Sequence, residues 1–155
     1  MKECIVADPL ALSLNWEDGQ LVRLSVHWAT AVAQSSVLSD EARLLKQALF
    51  RYVSGLKPDW PALPYDLSRL TDFQRTVLHA LAQVPQGTTC TYGELAAAVG
   101  KPQAARAIGR AMATNPFPLV YPCHRVVGAS GKLTGYSSEG GVTLKERLLR
   151  LEGAQ

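Results

Sequence analysis

Cysteine is scarce in this chain. Cys4, Cys90 and Cys123 are all there is in 155 residues. An odd number at such wide spacing argues against a disulfide framework and suits a reducing compartment. None belongs to a Cys-x-x-Cys pair, and no His/Cys cluster has zinc-finger spacing, so no metal is expected. Long apolar runs are missing too: none approaches the ~20 residues that a membrane span needs. The opening MKECIVADPLAL lacks the apolar core of a secretory signal, which predicts an internal location. There is no internal repeat and no low-complexity tract. The most telling absence is acidic charge. Between Leu95 and Ser138 stand Lys101, Arg106, Arg110, Arg125 and Lys132, with no Asp or Glu among them. A field of one sign over such a stretch favours an anionic partner, although a solvated basic face would carry the same charges.

What is present describes a globular chain. The hydrophobic fraction is 47% and the charged fraction 19%, enough to bury a core in one domain or in two small ones. The expected class is α+β: a small N-terminal α/β domain over 1–66, then a mainly helical domain over 67–155. In the first, two apolar stretches flank Glu17-Asp18-Gly19, a hairpin signal. DEARLLKQALFRYVSG then has helical spacing, with Asp40 as expected N-cap and Gly55 as stop. LKPDWPALPYDLS holds three of the nine prolines and reads as an ordered linker.

In the second domain Thr71 with Gln74, and Thr91 with Glu94, form capping boxes that open two helices. The first ends near Pro85-Gln86-Gly87 and the second at Gly100. Pro102 is placed to begin a third, QAARAIGRAMATN, stopped by Asn115-Pro116. LVYPCHRVV reads as a strand, followed by Gly-rich turns and a last helix, VTLKERLLRLE. The two short helices around VGKPQ make a helix-turn-helix, a shape that lays its second helix into a DNA groove. In that helix Ala104, Ala105 and Gly109 would let the backbone come close to a phosphate chain. Arg106 and Arg110, four apart, share a face. A helix packed tightly on a neighbour would show the same pattern.

The chemistry concentrates in PCHRV. A cation or imidazole beside a cysteine lowers the thiol toward working pH. Cys123 has His124 and Arg125 next to it. Neighbours in an extended strand point to opposite faces, so His124 needs a backbone bend or a bridging water to serve the sulfur. Of the acids after the motif, Glu139, Glu146 and Glu152, the last is favoured to orient the imidazole, because the final helix folds back over the strand.

PCHRV, with NPFPLVY before it and VGASGKLTGY after it, resembles the active-site signature of the O6-alkylguanine-DNA alkyltransferases (methylated-DNA–protein-cysteine methyltransferases). The resemblance runs in order over about residues 70–153, through DFQRTVLHAL, VPQGTTCTYGELAAAVG, KPQAARAIGRAMATNP and LLRLEG. It implies a winged-helix-like second domain and DNA repair by direct reversal, with one irreversible transfer of an alkyl group from guanine O6 to a cysteine of the protein. It implies Cys123 as acceptor, His124 as base and Glu152 as the group polarising it. Asn115 resembles the family's hinge residue. Tyr92 resembles the phenol that serves the leaving guanine at N3, and Arg106 the side chain that fills the gap left by a flipped nucleotide. Pro118, Tyr136 and Ser137 resemble pocket walls, and Val126 offers a backbone carbonyl to the exocyclic amine. Lys101, Ala104, Ala105, Gly109 and Arg110 complete the implied DNA surface.

The implied partner is double-stranded DNA carrying O6-alkylguanine, entered from the minor groove. No cofactor and no membrane are implied. A monomer is expected, with cooperative binding on DNA left open, in the cytoplasm of a prokaryote or the nucleus of a eukaryote. SSEGG after Tyr136 is about two residues longer than the family pattern and carries an extra acid, Glu139. Cys4 and His27 lack the partners with which some relatives bind zinc. Three other functions remain open on the residues: a damaged-DNA binder without transfer, a helix-turn-helix transcriptional module, and a Cys-His hydrolase.

Overall fold

A computed structural model describes residues 1–136 and 138–154. The chain divides into two compact units, 1–66 and 67–155. Unit 1 is an antiparallel sheet in the order β1 (Lys2–Ala7), β2 (Leu10–Glu17), β3 (Gln20–Trp28), with helix α1 (Asp40–Val53) against it. The β2–β3 hairpin turns at Asp18 and Gly19, with φ of 50° and 78°. Both are left-handed, as a two-residue turn that matches strand twist requires. Ile5, Leu12 and Val26 lie side by side across the strands and are buried. They form one face of a core that Leu45 and Leu49 of α1 share. Ser39, not Asp40, caps α1: its hydroxyl accepts from the Ala42 amide at 3.1 Å. Asp40 is the first helical residue, where its charge favours the positive end of the helix dipole. The proline-rich segment is ordered, with Leu21 and Tyr65 forming an isolated parallel bridge and Trp60 against the Tyr52 ring.

Unit 2 packs α2 (Asp72–Leu81), α3 (Tyr92–Ala98) and α4 (Ala105–Ala113) around Val77, Leu81, Leu95, Ile108 and Met112. Both capping boxes form, Thr71 with Gln74 and Thr91 with Glu94. Gly100, at φ 77°, lets α3 end on a left-handed residue. Pro102 does not start α4. The Ala104 amide bonds back to the Lys101 carbonyl at 2.9 Å, which makes residues 101–104 a tight turn. Proline suits the second position of such a turn as well as a first helical turn, so α4 begins three residues later.

The expected strand over 119–127 is corrected. Only Val126–Val127 (β5) is strand, paired in parallel with Cys90–Thr91 (β4). Leu119 stands at φ 76°, and Cys123–Arg125 form a single 3-10 turn. An apolar run bounded by prolines is buried whether extended or bent, and its periodicity does not separate the two. Helix α5 (Gly141–Leu151) closes the unit.

Candidate active site

The bend at Cys123–Arg125 changes what each side chain can reach. Asn115 holds the approach to it: its amide nitrogen donates to the Tyr121 carbonyl at 2.9 Å, and its amide oxygen accepts from the Phe117 N–H at 2.9 Å. One side chain thus closes both ends of the loop between α4 and the turn. Cys123 is left in the core with 3% of its surface exposed.

His124 and Arg125 both turn toward Glu152, the residue that caps the C-terminus of α5. His124 Nε2 lies 2.5 Å from one carboxylate oxygen, and Arg125 Nε donates to the other at 2.8 Å. Arg125 also donates to the Val84 carbonyl at 2.7 Å. The turn after α2 comes close to the same place: a Cβ on Gly87, whose φ is 86°, would sit 3.2 Å from the Glu152 carbonyl oxygen. Glycine there allows both the left-handed backbone and the close approach.

These contacts fix the protonation states. Burial by itself would raise the Glu152 pKa, but hydrogen bonds and charge from His124 and Arg125 outweigh it and hold the carboxyl at about 2. Burial lowers the His124 pKa, against the pull of Glu152. An ionised carboxylate only accepts, so Nε2 carries the ring proton. Nδ1 is therefore the bare nitrogen, and it is buried with no hydrogen-bond partner among the described residues. Neutral His124 thus keeps a basic nitrogen without a partner among the described residues.

The thiol departs from the sequence expectation. Burial pushes Cys123 up to about 11, although an Asn115 hydrogen bond, the Lys145 charge and the local backbone pull the other way. The guanidinium next in sequence does not activate the sulfur, because it is spent on Glu152 and Val84. Cys123 rests as a thiol, and a base would have to take its proton before the sulfur could act as a nucleophile.

A cavity of about 680 Å³ reaches the sulfur, within the size range of small-molecule sites. Tyr92, Thr134, Tyr136 and Lys145 line it near Cys123, and Ala105, Arg106 and Gly109 of α4 line it on the helix-turn-helix side. The Tyr92 hydroxyl is 2.6 Å from Thr134 Oγ1. Burial first, and then the neighbouring Cys123, hold the Tyr136 phenol well above its ordinary range. Arg106, Arg110 and Lys101 are exposed, while Ile108, Ala111 and Met112 on the other side of α4 are buried. Among the described residues a Cβ on Gly109 would meet nothing within 4 Å. Glycine inside a helix costs about 1 kcal/mol relative to alanine, and no packing among the described residues accounts for it. Ala104 precedes α4 as its N-cap without a side-chain cap bond.

Pro118 is buried but is not part of the cavity lining. The Val126 carbonyl already accepts from Lys145 Nζ at 2.7 Å, which leaves one lone pair for another donor. Ser137 lies outside the described residues. Sequence reasoning missed Lys145, which is only 1% exposed. Its signal was present: it falls three and four residues before Leu148 and Leu149, on the apolar stripe of α5. Thr134 was missed as well, and no local pattern marks it. Among the described residues, no group of three His, Cys, Asp or Glu side chains is placed to hold a metal ion.

Residues 72–154 match the family described as 6-O-methylguanine DNA methyltransferase, DNA binding domain. The chain belongs to this family. The match covers most of the second unit, from the first residue of α2 to just past the Glu152 clasp. A methylated-DNA–protein-cysteine methyltransferase of Methanosarcina acetivorans is 54% identical over 84 residues, covering 54% of this chain and 53% of the relative. The corresponding protein of Mycobacterium tuberculosis is 55% identical over 84 residues, 54% of this chain and 50% of that one. The matched segment thus spans about half the length of these curated relatives. Solved methyltransferase structures align more widely. The crystal structure of M. tuberculosis OGT in complex with DNA is 37% identical, with a TM-score of 0.76, over 99% of this chain and 92% of that one. The O6-methylguanine-DNA methyltransferase of Pyrococcus kodakaraensis has a TM-score of 0.75 at 25% identity, over 98% of both chains. These neighbours share the mixed α+β fold. No helix among the described residues is long and apolar enough to cross a membrane.

Proposed function

We propose that this protein repairs alkylated DNA by direct reversal, moving the alkyl group of an O6-alkylguanine irreversibly onto Cys123. The supporting observation is one cavity that touches both a buried thiol and the exposed arginine face of the helix-turn-helix. A base within a duplex hides its O6 substituent from such a thiol. The nucleotide must swing out, at a cost of a few kcal/mol. Arg106, flat and cationic, stacks into the gap from the cavity rim. Arg110, Lys101 and the small residues Ala104, Ala105 and Gly109 set α4 on the minor groove.

Within the cavity, the S–C bond forms as the C–O6 bond breaks. The thiol proton passes to His124 Nδ1, directly or through a water, while Glu152 steadies the imidazolium that results. Tyr92 gives a hydrogen bond or a proton to N3 of the departing guanine. Tyr136 walls the pocket, Asn115 hinges it to α4, and the free lone pair of the Val126 carbonyl meets the exocyclic amine. The product thioether has no good leaving group, so each molecule reacts once. Such a protein acts where the DNA is, in the cytoplasm of a prokaryote or the nucleus of a eukaryote.

The test is transfer of label from duplex DNA carrying O6-methylguanine labelled in its methyl group. The expected result is one methyl per protein, on the peptide containing Cys123. Bound DNA with no label on that peptide would leave a damage-binding protein instead, and a labelled peptide elsewhere would move the acceptor.

Arg106→Ala separates flipping from chemistry. On duplex substrate the variant is expected to react about tenfold more slowly or worse, whereas free O6-benzylguanine, which needs no extrusion, reacts within about twofold of the original rate. Equal losses on both substrates would remove the gap-filling role.

A further inference from the structure

We infer that Thr134 is a positioning residue for the transfer: its hydroxyl donates into the Tyr92 phenol oxygen and so aims the phenol O–H at the leaving guanine. This rests on the role proposed above for Tyr92.

Thr134 belongs to the loop between β5 and α5, and Tyr92 is the first residue of α3. Both line the cavity that reaches Cys123, and their hydroxyls stand 2.6 Å apart. Thr134 does not reach this position by chance of a free rotamer. The Gly128 amide bonds to the Lys132 carbonyl at 2.8 Å, which folds the loop back on itself. A Cβ built on Gly128 would lie 3.6 Å from Thr134 Cγ2, at ordinary contact distance, so the threonine methyl packs beside Gly128. A β-branched side chain has few χ1 choices. With the methyl against Gly128, the hydroxyl is turned to Tyr92.

The direction of that hydrogen bond decides the chemistry. Each hydroxyl has one proton to give and lone pairs to accept with. If Tyr92 gave its proton to Thr134, it would have none for guanine N3. If Thr134 donates, the phenol proton is free, and the phenol oxygen is stabilised as it gains negative charge. A hydrogen bond to the charged form of an acid strengthens the acid. The protons then balance. The thiol proton rests on His124, the phenol proton goes to or is shared with N3, and the phenolate charge is held by the Thr134 O–H. The net charge of the site is the same before and after.

Two substitutions and one altered substrate test this. Thr134→Val keeps the shape and removes the hydroxyl. Thr134→Ser keeps the hydroxyl and removes the methyl. The third reagent is duplex DNA carrying O6-methyl-3-deazaguanine, in which N3 is a C–H group and nothing is left for Tyr92 to serve. Single-turnover transfer from O6-methylguanine is expected to slow about tenfold in Thr134→Val, the worth of one well-aligned hydrogen bond. Affinity for the damaged duplex should stay within about twofold, and Thr134→Ser should recover transfer to within about threefold. On the 3-deaza substrate the original protein and Thr134→Val should react at the same, already slow, rate. An unchanged rate in Thr134→Val on O6-methylguanine would overturn the inference, and so would an equal slowing on the 3-deaza substrate or a failure of serine to restore the rate. Tyr92→Phe distinguishes the underlying role: if it transfers as fast as the original protein, Tyr92 is not the donor and the inference falls with it. If it is slow while Thr134→Val is not, only the part assigned to Thr134 fails.

Discussion

Alkyl transfer disappears altogether in Cys123→Ala, while binding to damaged duplex persists. That is the expected result, and it follows from a division of labour between two surfaces. The groups proposed to meet the DNA, Lys101, Arg106 and Arg110, are exposed and lie away from the core. Cys123 is inside it, packed among Val77, Leu95, Ile108 and Val126. Deleting one sulfur atom from such a site destabilises the fold by roughly 1 kcal/mol, which leaves unit 2 folded. Label counting on O6-methylguanine duplex should give no transfer. Titration against the same duplex should give an affinity within about threefold of the original, with the same steep salt dependence, because phosphate contacts set both. Residual transfer would mean that another residue accepts the alkyl group. Binding lost together with transfer would mean that the thiol holds the recognition surface in shape.

Glu152→Gln should be nearly as damaging, and through two routes at once. The amide keeps the shape of the carboxylate but can present an N–H to His124 Nε2. The imidazole then carries its proton on Nδ1, the nitrogen proposed as base. Loss of a correctly protonated base lowers the rate by about 10²–10⁴-fold. The second route is stability. The Arg125 side chain is 9% exposed and Glu152 is its counter-charge, and stripping one member from a buried ion pair costs about 3–5 kcal/mol. Single-turnover transfer reads the first effect and urea unfolding at neutral pH reads the second. A transfer rate within threefold of the original would exclude the tautomer-setting role.

The same carboxylate gives stability a defined dependence on pH. Its pKa in the folded protein is about 2, below the ordinary 4.5. The unfolded chain therefore binds the proton more readily. The resulting stabilisation, on the order of 3 kcal/mol, is fully present above about pH 5 and is lost as the pH falls toward 2. His124, lowered by burial, adds in the same direction below its ordinary pKa, since the unfolded chain again takes up the proton first. The original protein should lose stability on acidification more steeply than Glu152→Gln, which lacks the carboxylate.

Much of this site was legible because its signals are local or carried by motif. The two capping boxes need only residues three apart, and both formed as written. PCHRV together with Asn115-Pro116 marked the thiol, the imidazole beside it and the loop that carries them, and the last helix brings Glu152 back to His124 as expected. The errors have one cause: tertiary packing chose among conformations that are locally equivalent. Ser39 and Asp40 are both good caps, and the hydroxyl won. Pro102 suits a turn or a helix start, and the Ala104–Lys101 hydrogen bond made it a turn. The run before Cys123 could be strand or loop, and Asn115 tied it into a loop. The thiol was expected to be acidic because a cation follows it in sequence, but that cation is turned to Glu152 and burial governs the sulfur. Thr134 and Lys145 gain their meaning only from what they touch across 42 and 19 residues of chain.

The two-residue ladder of β4 and β5 joins Cys90 to Val126 and Thr91 to Val127. Tyr92 begins one residue past one rail, and the Cys123–Arg125 turn ends one residue before the other. Tyr92, proposed to serve the departing base, and Cys123, proposed to attack the carbon, are thus fastened to the same small clip. A displacement of 1 Å between reacting groups can cost a hundredfold in rate. Warming that loosens these four residues would therefore silence the chemistry while the helices around it are still intact.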